Sequence, residues 1–259
     1  MSFERRSLGN RGYALVSTAL ERDGFLAAFT ERTGGVSPAP YDSLNLSLVT
    51  DDDAENGRRN RRRVVEGLGI PPFATPYQVH GARAVRVGTK RAGAGFDDPQ
   101  TRIPEADALY TSSSQLPMAV LTADCLPIVL ASPAEGTVAV VHAGWRGMAA
   151  GMLGVAAGSF ERPSEVRVAI GPAIGPCHYE VGEDVALAVA AAFETGAVTQ
   201  RRGGSLYLDL PGTARAALRS QGIRRVDAAE LCTACEKRRF FSHRRDGDTG
   251  RQCGLAMRM

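Results

Sequence analysis

Two of the four histidines and one of the five cysteines sit where apolar, strand-like runs give way to glycine or to turn residues. His80 precedes Gly81, and His142 precedes Ala143-Gly144. Cys125 lies between two apolar runs, 45 residues after His80 and 17 before His142. Two imidazoles and one thiolate suit a single zinc ion, with copper the lesser alternative, at roughly 2.0–2.3 Å, and they leave a fourth position for solvent. An ion with an open position lowers the pKa of its water toward about 7. Asp124 is the candidate proton carrier beside Cys125, or a turn residue bonding nearby backbone. The separations themselves dictate no metal, because the ligands must converge through the fold. A strand histidine is often a hydrogen-bonded structural residue, and a buried cysteine is often a small hydrophobe. The same three residues also fit a metal-free hydrolase with Cys125 as nucleophile and His80 or His142 as base.

The elements that must hold these residues are legible in part. Phe25 to Thr30 reads as a strand, and Asp53 to Leu68 as a helix with acids at its start and Gly69 then Pro71 at its stop. Tyr77 to Val87 predicts a strand, and residues 88–104 an exposed loop. Met118 to Thr122 and Pro127 to Leu130 are apolar strands flanking Ala123-Asp124-Cys125, and Thr137 to Val141 is a β-branched strand leading into His142. Gly144-Trp145-Arg146-Gly147 opens the next helix, expected over Met148 to Phe160. Free N–H groups and Arg146 there would favour an anion, or the segment is a tight turn. Val166 to Ile170 predicts a strand, and Glu183 to Phe193 and Pro211 to Ser220 predict helices. The tail from Cys232 is polar and arginine-rich. Neither a repeat nor a long linker divides the chain, which predicts one mixed α/β domain over residues 1–259.

Cys232-x-x-Cys235 has two rival readings, a second zinc site with His243 and Cys253, or a redox pair. The default is two unligated thiols, with His178 and His243 as surface or pocket residues. Composition narrows the partners. A net charge of +3 with 44% hydrophobic and 23% charged residues is ordinary globular composition and does not call for nucleic acid or membrane. Only two of the 31 basic residues are lysines, so the cluster Arg58, Arg59, Arg61, Arg62, Arg63 reflects a chain-wide arginine bias. The start MSFERRSLGN has no apolar signal region, and the odd cysteine count in a chain that reads as cytoplasmic predicts reduced thiols or metal ligands rather than a disulfide framework.

The motifs Thr30-Glu31-Arg32-Thr33-Gly34-Gly35, Ser43-Leu44-Asn45-Leu46, Asn60-Arg61 and Gln78-Val79-His80-Gly81 continue through Ala106-Asp107-Ala108-Leu109 and Thr122-Ala123-Asp124-Cys125. Val141-His142-Ala143-Gly144-Trp145-Arg146-Gly147, Ile170-Gly171-Pro172, Tyr179-Glu180-Val181-Gly182 and Phe241-Ser242-His243-Arg244-Arg245 follow in order. Together they resemble the polyphenol oxidase or laccase-domain family, also called peptidoglycan editing factor. The resemblance implies an α/β/β/α sandwich and a zinc site at His80, Cys125 and His142. It also implies phosphorolysis of adenosine, inosine and methylthioadenosine, and deamination of adenosine. Nucleoside and phosphate are then the partners. Arg61, Arg146 and Arg245 become candidate phosphate ligands, and Asn45 a candidate pocket residue.

The editing-factor name carries a second expectation, hydrolysis of an amide in a muropeptide precursor. Multicopper oxidation of phenols fits poorly. It needs a blue-copper site and a histidine-rich trinuclear cluster, which four histidines cannot both supply.

Overall fold

The computed structural model describes residues 2–194 and 196–259. Its strands are β1 (Phe3–Gly9), β2 (Gly12–Ser17), β3 (Phe25–Thr30), β4 (Ala84–Arg86), β5 (Ala108–Thr111), β6 (Met118–Thr122), β7 (Leu126–Ser132), β8 (Thr137–Ala143), β9 (Arg167–Ile170), β10 (Glu180–Val181), β11 (Thr199–Arg202), β12 (Ser205–Leu208), β13 (Arg225–Ala228) and β14 (Gln252–Arg258). The helices are α1 (Thr18–Arg22), α2 (Ala54–Leu68), α3 (Trp145–Ala149), α4 (Met152–Ala157), α5 (Glu183–Ala191), α6 (Leu210–Ser220) and α7 (His243–Asp246).

Two large sheets stack face to face. The order β1-β2-β3-β14-β6 makes a five-stranded sheet, and β13-β9-β7-β8-β5-β4 a six-stranded one. Side-chain alternation explains the stacking. In β7, Val129 and Ala131 face the space between the sheets while Leu126, Ile128 and Leu130 face away. In β8, Val138 and Val140 face inward while Ala139, Val141 and Ala143 face away. Phe29, Met118, Val120 and Ala256 meet them from the five-stranded sheet. The outer face of the six-stranded sheet is covered by α3 to α6, through Met148, Leu153, Val189 and Ala214. The outer face of the other sheet is covered by α2, through Val64 and Val65. The layers therefore run α/β/β/α, with a small sheet of β10, β12 and β11 beside the helices. No described helix is long and apolar enough to cross a membrane.

Several expectations need correction. Only Ala84–Arg86 of the expected Tyr77–Val87 strand is a strand. The N–H groups of Val79, His80 and Gly81 are taken by the Asp107 carboxylate, and His80 has φ of +58°, outside strand geometry. The expected Met148–Phe160 helix is two short helices, because Gly151 lies between them at φ of +84°. The tail is not merely polar. Its last strand, β14, is inserted between β3 and β6, with Cys253 and Leu255 facing α2 and Ala256 facing the other sheet. The five-stranded sheet is wholly antiparallel, and only the six-stranded sheet mixes parallel and antiparallel pairs.

A buried ion cluster ties the tail to the amino-terminal strands. The fully buried Glu31 carboxylate accepts from Arg5 at 2.8 and 2.9 Å and from Arg239 at 2.7 and 3.0 Å. Burial raises the pKa of Glu31, but the two guanidiniums more than offset this and hold it below the ordinary value. A depressed carboxylate contributes stability above its unfolded pKa of about 4.3 and loses it as pH falls further. Both arginines are partly exposed, so Glu31→Ala is expected to cost only about 1–3 kcal/mol in urea denaturation. Wild-type Tm should also fall more steeply below about pH 4.3 than that of Glu31→Gln. Parallel curves would show that this carboxylate adds no pH-dependent stability.

Candidate metal centre

Strand register brings the candidate ligands together. In the β7–β8 hairpin, Leu126 pairs with Ala143 and Pro127 with His142, so Cys125 reaches the same end as His142. His142 continues the inward-facing series Val138, Val140 and so points between the sheets. Pairing of β5 with β8 sets Ala108 opposite Val141, which places Asp107 beside His142.

Asp107 then organises two of the three candidates. Its backbone carbonyl accepts from His142 N at 2.7 Å, and its Oδ1 lies 2.7 Å from His142 Nδ1. The same carboxylate accepts the N–H groups of Val79 at 3.1 Å, His80 at 3.0 Å and Gly81 at 2.8 Å. Burial opposes its charge, but His142 and these backbone donors hold its pKa below the ordinary range. An ionised Asp107 requires the proton on His142 Nδ1, so Nε2 is the ring nitrogen left to face Cys125 and, once deprotonated, to ligate a metal.

The ligand atoms of His80, Cys125 and His142 all lie within 4.8 Å of one another, and the two rings meet edge to face with centroids 4.8 Å apart. Gly144 permits this approach. A Cβ there would stand 2.8 Å from Cys125 Sγ and 3.3 Å from the His80 ring. Burial pushes the Cys125 thiol up, but His142 and His80 outweigh it and bring the pKa to about 6. For His142, burial pulls down while Cys125 and Asp107 raise its pKa to about 9. Sulfur is therefore thiolate near neutral pH, the form that ligates a metal or acts as a nucleophile.

The three side chains line a cavity of about 420 Å³, a size suited to a small organic ligand. Arg61, Arg102, Arg251 and His243 also line it, and among the described residues no carboxylate does. Arg61 is buried, with Nε donating to Leu46 O and Nη1 to Gly95 O and Phe96 O, and Nη2 has no protein acceptor among the described residues. Burial lowers its pKa to about 10, so it remains a cation at neutral pH. The hydroxyls of Thr75 and Thr122, also lining the cavity, are buried without a partner among the described residues. Such groups favour a polar, anionic occupant.

The profile of the family described as multi-copper polyphenol oxidoreductase laccase matches residues 26–259. The chain belongs to that laccase family. Among its relatives is a protein named purine nucleoside phosphorylase YlmD of Geobacillus stearothermophilus, 38% identical over 241 residues, covering 88% of each chain. Another is purine nucleoside phosphorylase YfiH of Escherichia coli K12, 36% identical over 235 residues, covering 90% of this chain and 93% of the relative. The crystal structure of YlmD from Geobacillus stearothermophilus superposes with a TM-score of 0.93 at 36% identity, over 99% of this chain and 98% of that one. That of YfiH from Bacillus licheniformis gives 0.90 at 29% identity, over 99% of both.

Within this laccase-family chain, the other residues singled out from sequence fall outside the cavity lining. Asn45 is buried and holds its own loop, donating to Thr50 and Asp52 and accepting from Ser47 N and Arg251 N. Asp124 accepts from Thr233 Oγ1 at 2.6 Å and Arg244 N at 2.7 Å, so its carboxylate anchors the tail. Arg245 is engaged with the carbonyls of Thr233, Ala234 and Phe240 and with Asp246. Arg146 is exposed over the Trp145 ring, on a helix of only five residues. His178 lies with Cys232 and Cys235 instead.

Sequence reasoning passed over Asp107, Thr75, Thr122 and Arg102 as site residues. Asp107 had a signal, since it is the lone acid in the apolar run Ala106–Leu109. The two threonines had none, because nothing local distinguishes a buried threonine facing a cavity from one bonded to backbone.

Proposed function

We propose that this chain is a metal-dependent purine nucleoside phosphorylase acting on adenosine, inosine and methylthioadenosine, and that the same site deaminates adenosine. The observation that carries the reading is the cavity itself. Among the described residues, a His₂Cys set shares a pocket with the Arg61 cation, whose Nη2 has no acceptor, and no carboxylate joins them. The names of the relatives support the phosphorolysis alone.

His80, Cys125 and His142 fit a zinc-class ion. The donors are borderline-soft, the sulfur is thiolate, His142 is oriented by a carboxylate, and the set opens to the cavity. When bound, such an ion supplies Lewis acidity and makes water more acidic near neutral pH. Phosphorolysis joins a phosphate oxygen to ribose C1′ and breaks the bond from C1′ to the purine nitrogen, whose electron pair leaves with the base. Arg61 Nη2 and Arg251 bind the phosphate, and the absence of a lining carboxylate spares it repulsion. Thr75 and Thr122 add hydroxyl donors. Tyr77 and Leu48 supply apolar wall for the nucleoside. His243 holds Nδ1 on the Gly247 carbonyl at 2.8 Å, which leaves Nε2 to carry a proton toward the departing purine. In deamination, a water oxygen bonds to purine C6 and the exocyclic C6–N bond breaks, releasing ammonia.

Hypoxanthine should leave inosine only when phosphate is present, with ribose 1-phosphate as co-product. Phosphate-independent release would mean a hydrolase instead. Arg251→Met is expected to raise KM for phosphate about tenfold, the loss of one charge-assisted contact, with KM for inosine nearly unchanged. An unaltered phosphate KM would remove Arg251 from the anion site.

One observation favours a second reading. Thiolate Cys125 beside a protonated His142 is a ready pair for a metal-free hydrolase. Exhaustive chelation separates the two, because the hydrolase would keep its activity.

A further inference from the structure

We infer that the chain carries a second metal centre, a closed Cys₃His zinc site formed by Cys177, His178, Cys232 and Cys235. The structure sets aside the partners considered from spacing. Cys253 is buried under α2 and bonded to Thr30, and His243 lines the cavity. Cys232 and Cys235 instead meet Cys177 and His178, and the four ligand atoms lie within 4.8 Å of one another.

The spacings fit zinc. A tetrahedral ion with bonds of about 2.0–2.3 Å sets its ligand atoms about 3.4–3.8 Å apart. Cys177 Sγ lies 3.5 Å from Cys235 Sγ, and His178 Nδ1 lies 3.4 Å from Cys235 Sγ and 3.9 Å from Cys232 Sγ. All of these cysteines are free thiols, so no disulfide accounts for the cluster. The Gly175 N–H donates to Cys232 Sγ at 3.3 Å, the kind of support that steadies a ligating thiolate. Four protein ligands leave no open position, which makes the site structural rather than catalytic.

Topology shows what the ion would join. Parallel strands β9 and β13 are neighbours, and the loops leaving their carboxyl ends carry Cys177-His178 and Cys232-x-x-Cys235. A bridge from Ala173 to Cys232 aligns the two loops, and Asp124 binds both, accepting from Ile174 N through its carbonyl and from Thr233 through its carboxylate. A zinc ion here clamps the tail that continues to His243 and Arg251.

Metal analysis of the full chain, purified under reductant, tests this apart from the first centre. Wild type should hold about two zinc ions, and Cys125→Ser about one. In the Cys125→Ser background, Cys177→Ser with Cys235→Ser should abolish that remaining ion. Should this variant not fold, cobalt bound to Cys125→Ser reports directly. Intense thiolate-to-cobalt absorption with tetrahedral ligand-field bands is expected, and chelation should lower its Tm. Cys125→Ser protein without zinc and without that absorption overturns the proposal. So does zinc retained after both cysteines are replaced, or a Cys177–Cys235 disulfide found by non-reducing peptide mapping of the native protein.

Discussion

Cys125→Ala is expected to lower phosphate-dependent cleavage of inosine by about 10³-fold or more, the equivalent of about 4 kcal/mol of lost transition-state stabilisation. Cys125 is the only sulfur among the three candidate ligands and the only anionic one, with a thiol pKa near 6. Removing it leaves two neutral imidazoles, too few to retain a zinc-class ion at ordinary concentrations. The buried Cys253 offers no substitute, since its pKa is pushed up to about 11 and it lies under α2. Alanine is smaller than cysteine and meets no clash beside Gly144, so the variant should fold with a Tm close to wild type. Activity and metal content should fall together. Release of hypoxanthine at the wild-type rate from Cys125→Ala would remove both the metal centre and the thiolate from the mechanism.

The second large effect is expected at Asp107, which reaches the chemistry only through other residues. Asp107→Asn preserves volume but can place an NH₂ group against His142 Nδ1, favouring the wrong tautomer and turning the Nε2 proton into the site. It also weakens the acceptor that holds the N–H groups of Val79, His80 and Gly81. Metal affinity is expected to fall about 10–100-fold, as for other carboxylates behind metal-bound histidines. Turnover at limiting metal should fall at least as far and recover in part when zinc is added in excess. A purely structural role predicts lower stability with unchanged metal affinity. Titration of zinc against a competing chelator, beside a urea denaturation curve, distinguishes the two. An unchanged zinc affinity would sink the positioning role.

Particular residues show why some of this was legible in the chain and some was not. The β7–β8 hairpin could be read because its apolar runs are continuous and separated by a short turn, and the helix α2 because Asp53 caps its start and Gly69 closes it. His142 and Cys125 meet through that one hairpin, yet their separation in the chain did not dictate it, because strand register sets the pairing. His80 was harder. Its segment carries valines at strand spacing, yet Asp107 captures its N–H groups and bends it away from any sheet. The strand β14 was read as polar tail because glycine, glutamine and arginine flank its apolar residues. Its place between β3 and β6 depends on residues more than 100 positions away. Arg245 and Arg251 both belong to the arginine-rich tail and both donate to backbone carbonyls, but Arg245 is also paired with Asp246 whereas Arg251 lines the cavity.

Sequence alone determined the family membership, the mixed α/β class and a short list of soft side chains, because each depends on residue identity and local periodicity. Tertiary structure decided what surrounds them and which further side chains converge. Sheet register and strand insertion, set by burial of two apolar faces rather than by neighbours in the chain, bring Asp107 behind His142, turn Arg61 toward the cavity and close Cys177 and His178 on Cys232 and Cys235.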